Sequence, residues 1–298
     1  MSARAPAARG ARGVTLIIVL WTVAALSVLV LGLVHAQRSE LRLAGAARAL
    51  VFETALGQAA IQRMIQAQRS GADAPSRLQR LSVSHGGREI EVERMPLTGL
   101  IDLNAAGQAL LVALLREAGN LDERAANALA AGLLALREQR LPDGSNRRLQ
   151  AVEELLALPG VDYGLLARIA PLVTIDSAGS GRVNALAAPY EVLLVLARGR
   201  ADIARRVADE RDAGSPGVDT TRLEAEFIDA TVSSRFRYTA HVPGADGVRV
   251  AVQRDVDLQP APEEASEGRE RAPWRILRAR QWRLAAPEAL NAGDPSGE

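Results

Sequence analysis

Apolar residues run uninterrupted by charge from Val14 to Val34, 21 positions in a row. As a helix rising about 1.5 Å per residue, this run spans roughly 32 Å, enough to cross a hydrocarbon core of about 30 Å. Beyond it the pattern turns amphipathic instead of stopping. Leu41, Ala44, Ala47, Leu50, Val51, Thr54, Ile61 and Ile65 recur at steps of three and four, with no proline between Val14 and Ala74. The spacing predicts one helix over residues 14–67, about 80 Å long. Gly, Asp and Pro in Ser70–Pro75 end it.

The period then shortens to two. Leu81–Ser84 and Glu89–Glu93 alternate apolar and polar residues around His85-Gly86-Gly87, a hairpin signal. From Gly99 to Ala213 the pattern is helical and loosely repeats. GLIDLNAAGQALLVALLREAGNLDERAANALAAGLLALRE begins at Gly99 and GRVNALAAPYEVLLVLARGRADIARRVADER at Gly181. Each opens with a short extended piece ending in Asn104 or Asn184, then a Leu-rich helix, a turn and an Ala- and Arg-rich helix. VEELLALPGVDYGLLARIAPLVTI, from Val152, follows the same helix-turn-helix plan. These stretches predict a stack of helical hairpins with Asn104 and Asn184 as N-caps. Alternation returns at Phe236–Val242 and Val248–Asp257, joined across Pro243–Gly247. Residues 260–273 read as a solvated linker, Trp274–Leu284 as a final edge strand, and 285–298 as a disordered tail.

The predicted fold is α+β. A leader, 1–13, precedes the helix, 14–67. A small strand domain, 68–98 and 214–258, is interrupted by an inserted all-helical domain, 99–213, of helix-hairpin-helix-like repeats. Residues 259–298 hold the linker, edge strand and tail.

Charge orients the N-terminus. Arg4, Arg9 and Arg12 precede the apolar run, and the first acidic residue is Glu40. The N-terminus is therefore expected in the cytoplasm, with everything after the run across the membrane. Three readings compete for Val14–Val34. One is a plain anchor. Another is a signal peptide cut near Val34-His35-Ala36, although signal-peptide cores usually span about 7–15 residues. The third is a prepilin-type leader cut after Gly13, so that the run stays as the mature N-terminus. A helix continuing far past the membrane favours the third.

Composition narrows the chemistry. Net charge is +1, all 36 basic residues are Arg, Cys is absent and aromatics make up 3%. Such a chain has no global field for nucleic acid, no disulfides and no aromatic-lined ligand groove. His35, His85 and His241 stand apart from any nucleophile motif, so no catalytic constellation emerges. Glu153-Glu154 opens a helix and reads as dipole complement. Leu158-Pro159-Gly160-Val161 resembles the turn of DNA-binding helical hairpins, where Gly lets backbone N–H groups approach a phosphate. Here Asp162 stands where the second Gly would be, and a carboxylate opposes that contact. Asp143, Asp162 and Asp176 lie in loop-like stretches that suit calcium or ordinary turns equally, so no metal ligand is assigned.

Taken together, Arg12-Gly13-Val14 through Trp21, Leu100–Ala106, Glu153–Gly160, Val183-Asn184 and Ala188–Leu193 make the chain resemble the K-type minor pseudopilins of bacterial type II secretion systems. The resemblance covers nearly the whole length. It implies a pilin-like core interrupted by a helical domain and a non-enzymatic role in protein secretion. It implies cleavage between Gly13 and Val14 by a prepilin peptidase, and methylation of the Val14 amine. It further implies a place at the tip of a short periplasmic pseudopilus, anchored in the inner membrane of a Gram-negative bacterium. The implied partners are the I- and J-type minor pseudopilins, the inner-membrane assembly platform and exported substrates. The family's bound Ca2+ carries over without ligands. Two departures exist. Val14 replaces the Phe common at the first mature position, and Ile18 stands at the fifth, where most pilins carry Glu. That Glu neutralises a neighbour's buried amine, so a subunit with no neighbour above it can omit it. The competing reading is a membrane-anchored DNA-binding protein using the helical hairpins.

Overall fold

The computed structural model describes residues 11–71, 75–244, 248–259 and 273–284; within the first helix it describes side chains for residues 17–29 and from 44 onward. Residues 1–10, the linker 260–272 and the tail 285–298 lie outside the described residues. The chain divides into two compact units, residues 1–52 and 53–298. The fold is α+β, mixing helices with antiparallel sheet.

Of the first unit the structure describes helix alone, the beginning of α1, Ala11–Ser70. The helix starts before the expected position 14 and outlasts the expected 67. Gly13 and Val14 are therefore inside it rather than at its start. A single Gly costs a helix only about 1 kcal/mol, too little to set its beginning in so apolar a run. Gly71 closes it, its N–H reaching Ala67 O at 3.1 Å.

In the second unit, the last turns of α1 lie on a five-stranded antiparallel sheet of order β1-β2-β7-β8-β9. Its strands are β1 (Gln79–His85), β2 (Arg88–Pro96), β7 (Arg235–Pro243), β8 (Arg249–Asp257) and β9 (Arg275–Leu284). Gly86 and Gly87, both with positive φ, make the tight β1–β2 turn that matches strand twist. Leu56, Ala60, Ile61, Met64 and Ile65 of α1 are buried at steps of three and four. They pack against the even-numbered sheet face, which carries Ile90, Val92, Ala240, Val242, Val250 and Val252, all buried. Gly57 permits this approach, since a Cβ there would stand 2.7 Å from Val252 Cγ2. A polar latch closes the end of the interface. Gln68 Oε1 accepts from the Tyr238 hydroxyl at 2.6 Å and from Arg94 Nη1 at 3.2 Å. Burial pushes the Tyr238 phenol far above its ordinary pKa, despite the nearby Arg94 cation.

Between β2 and β7 lie α2 (Gln108–Glu117), α3 (Glu123–Glu138), α4 (Tyr163–Ile169), α5 (Tyr190–Leu196) and α6 (Ala201–Asp212). This stretch is not all helical. β3 (Ile101–Asp102) pairs in parallel with β4 (Val173–Thr174), and β5 (Val183–Asn184) with β6 (Ile228–Asp229). Nor does it stop at 213. Leu223 and Phe227 are buried in the same apolar cluster as α5 and α6, so the large sheet resumes only at Arg235. The expected second part of the strand domain, 214–258, therefore begins with a return to β6, where two large apolar side chains, Leu223 and Phe227, are buried.

The expected capping by asparagine is also corrected. Gly107 and Pro189 are the N-caps of α2 and α5. Asn104 instead braces three segments: its Nδ2 donates to Leu149 O and Ile175 O, while its Oδ1 accepts from Leu149 N–H at 2.8 Å. The residue that corresponds to Asn184 is Asp102, not Asn104, although the two do not touch each other. Asp102 Oδ1 accepts from Asn104 N–H at 2.8 Å, and Asn184 Oδ1 accepts from Leu186 N–H at 3.1 Å. Each is the same two-residue side-chain turn leaving a short strand. The two halves meet reciprocally. A Cβ on Gly99 would collide with Ala187 O, and one on Gly181 with Ala105 O.

Candidate functional site

Three regions bear on function: the exposed start of α1, a cleft on the far side of the sheet, and the hairpin around Gly160.

In the first unit, Ile17, Val19, Leu20, Leu26 and Val28 are exposed, as are Ile18 at 57% and Trp21 at 74%. Single exposed apolar residues are common on proteins, but a contiguous helical run of them needs cover from lipid or from other chains. Among the described residues no helix is long and apolar enough to cross a membrane. Residues 13–16 and 30–34, which take in Gly13 and Val14 and complete the apolar run, lie outside the described side chains.

In the second unit, the odd-numbered sheet face floors a cleft of about 920 Å³. Met95, Leu172, Tyr190, Leu194 and Trp282 give it apolar walls. Arg237 lies at its base and is paired twice over with Asp255, Nε to Oδ1 at 2.8 Å and Nη2 to Oδ2 at 2.9 Å, both residues being buried. Removing one member of such a pair strands the other, at a cost of about 3–5 kcal/mol. Arg80 on the rim is held by Glu93 at 3.1 Å and Asp212 at 3.2 Å. Burial opposes its charge, and the two carboxylates outweigh burial and raise its pKa. His241 lines the cleft and His85 ends β1, and neither hydrogen-bonds a hydroxyl among the described residues. The pair Arg237–Asp255 and the cleft itself were missed from sequence. Arg237 and Asp255 both stand at odd-numbered, mostly polar positions of their strands, where a charged residue reads as solvent-facing, so alternation gave no signal of the pair.

In the hairpin Leu158 packs against the apolar core. Gly160 takes a φ of 88°, and Leu158, Pro159 and Gly160 share with Ala125, Leu129 and Gly132 of α3 the lining of a pocket of about 360 Å³. Asp162 is the N-cap of α4, its Oδ1 accepting from Leu165 N–H at 2.6 Å. The helix start that would face a phosphate is already occupied by a carboxylate.

The carboxylates considered for calcium do not converge. Asp143 makes a turn with Ser145, at 2.7 Å to its hydroxyl, Asp162 caps a helix, and Asp176 lies 3.7 Å from Arg235. Among the described residues no group of three His, Asp or Glu side chains could hold a metal ion. Glu153 and Glu154 open a 3-10 helix, Val152–Ala157, rather than an α-helix. Glu154 accepts from the N–H groups of Gln150 and Ala151, and Glu153 pairs with Arg280 at 3.1 Å.

No family model and no curated protein matches the chain. Among solved structures it is similar to a chain in the crystal structure of the GspK-GspI-GspJ complex from the type 2 secretion system of enterotoxigenic Escherichia coli. Sequence identity is 15% and the TM-score 0.47, over 83% of this chain and 99% of that one.

Proposed function

We propose that this chain is a non-enzymatic minor pseudopilin of a type II secretion system. In this reading residues 1–13 are a leader, cut between Gly13 and Val14, and the new Val14 amine is methylated. The apolar part of α1 first anchors the protein in the inner membrane, with its N-terminus cytoplasmic and residues after Val34 periplasmic. It then packs among the helices of other minor pseudopilins, of the I and J types, at the tip of the pseudopilus. There it seeds assembly on the inner-membrane platform and supports export of folded proteins across the outer membrane. Ile18 in place of Glu suits a subunit with no neighbour above it.

One observation carries the reading: α1 is a single helix whose early apolar side chains are exposed and whose late ones belong to the core of a sheet domain. A plain anchor has no reason for the second part, and a soluble enzyme has none for the first. DNA binding through the hairpins is not favoured, because Asp162 caps the helix start that a phosphate would need.

The deciding test is the N-terminal mass of the protein from membranes, with and without the prepilin peptidase. A mature start at methylated Val14, lost without the peptidase, is the expected result. An unprocessed Met1 or a start at Gln37 in both strains would sink the proposal.

A further inference from the structure

The two edges of the large sheet are unequal. β1 is seven residues long, its Arg80 is neutralised by Glu93 and Asp212, and Ser82 is bonded to Glu89 at 2.5 Å. That is a blunted edge. β9, at the other edge, is ten residues long and reads Arg-Ile-Leu-Arg-Ala-Arg-Gln-Trp-Arg-Leu, with four arginines and no acidic residue. Among the described residues it pairs only with β8, and its one irregularity lies near its start, opposite Asp255/Val256. Ile276 is 48% and Trp282 39% exposed, and Leu284 is exposed as well. A long, regular, partly apolar edge is a template for another strand.

Charge selects the occupant. From Arg278 onward alternate residues share the cleft side of the sheet, so Arg278, Arg280, Trp282 and Leu284 line one face of the edge. Asp255, opposite Arg278, is already taken by Arg237. Glu153, the partner of Arg280, is itself largely exposed. The local potential is positive: after burial, the nearness of Arg278 is the next cause depressing the Arg280 pKa. A second copy of β9 would bring arginines against arginines, which destabilises a strand pair.

We infer that β9 is a docking edge for an extended, acidic segment of a different polypeptide, which adds as a sixth strand beside Arg278–Leu284. Backbone hydrogen bonds hold it, and on the one face that carries Arg278, Arg280, Trp282 and Leu284 its carboxylates meet the two arginines while apolar side chains further along that same face cover Trp282 and Leu284. The inference uses only residues of the second unit and does not depend on the pseudopilin reading.

The test uses the full chain in detergent and a synthetic Glu-Val peptide whose every second residue reads two Glu then two Val, with Thr between, made in both chain orders, followed by fluorescence anisotropy and by hydrogen exchange of the β9 amides. The expected result is saturable binding that slows exchange across residues 278–284. Affinity should fall about tenfold or more, or about 1.4 kcal/mol, in Arg278→Glu and be kept in Arg278→Lys. A Lys-Val peptide should not bind, and a proline in the middle of the Glu-Val peptide should abolish protection. Equal binding of the proline peptide would overturn the inference, because it would leave charge attraction without strand pairing. So would equal binding by Arg278→Glu with its fold intact by circular dichroism, absence of binding at millimolar peptide, or a concentration-dependent self-pairing that protects the same amides.

Discussion

Residues 17–29 and 53–70 of α1 are drawn from the same apolar alphabet, yet their surroundings differ completely. In the first stretch Ile17, Trp21 and Leu29 are exposed. In the second, Ile61 and Ile65 are buried against valines of the sheet, with Ile65 at 1% exposure. The difference shows in the residues between the apolar ones. Residues 17–29 carry no charge at all, so every side of the helix is apolar. Residues 53–70 interleave Gln58, Arg63, Gln66 and Arg69, which leaves one stripe for the core. An all-round apolar helix demands an apolar solvent or a bundle, and a striped one demands a single partner surface. The helix thus begins charge-free and ends as a striped face of the sheet domain.

That contrast can be broken most severely at the glycines. Gly57→Leu should prevent normal folding of the sheet domain or destabilise it by about 3 kcal/mol or more, because its Cβ meets Val252 at 2.7 Å. Gly45→Leu has nothing within 4 Å and should leave denaturant unfolding of the domain unchanged. Comparable losses in both would end the distinction.

Next in size, Ile65→Ala should cost about 2–5 kcal/mol in the same unfolding measurement, whereas Ile17→Ala should cost none of it and instead weaken retention in membranes. Tyr238→Phe removes one donor from the Gln68 latch, and a loss of about 1 kcal/mol is expected by urea denaturation. No change there would mean that the latch does not help hold the end of α1 on the sheet. Smallest of all, Ile18→Glu should move domain stability by no more than about 0.5 kcal/mol, with its effect confined to co-purification with neighbouring subunits.

Much of the fold is legible in sequence because it depends on short periods. The step of three and four announces α1, and alternation around Gly86-Gly87 announces β1 and β2. The candidate site is less so. Gly13, Val14 and Ile18 rest on local pattern and resemblance. The cleft depends on which strand lies beside which, since Arg237 finds Asp255 only once β7 and β8 are in register. Asn104 and Asn184 show how similarity of spelling misleads. Both precede a Leu-rich helix, and the written repeat aligns them. In space Asp102 takes the place of Asn184, because both make the same turn out of a short strand.

By itself, then, the sequence determined the elements whose information is local: the charge-free run, the long helix, the hairpin and the helical character of the middle. Periodicity and glycine placement act through the backbone within a few residues. Tertiary structure alone decided the rest. It carried 214–229 back to β6 beside the helices, made Asp162 a cap, buried the Arg237–Asp255 pair beneath a cleft, and left β9 as the long cationic edge. Each of these depends on residues far apart in the chain being brought together, and packing, not local preference, supplies that free energy.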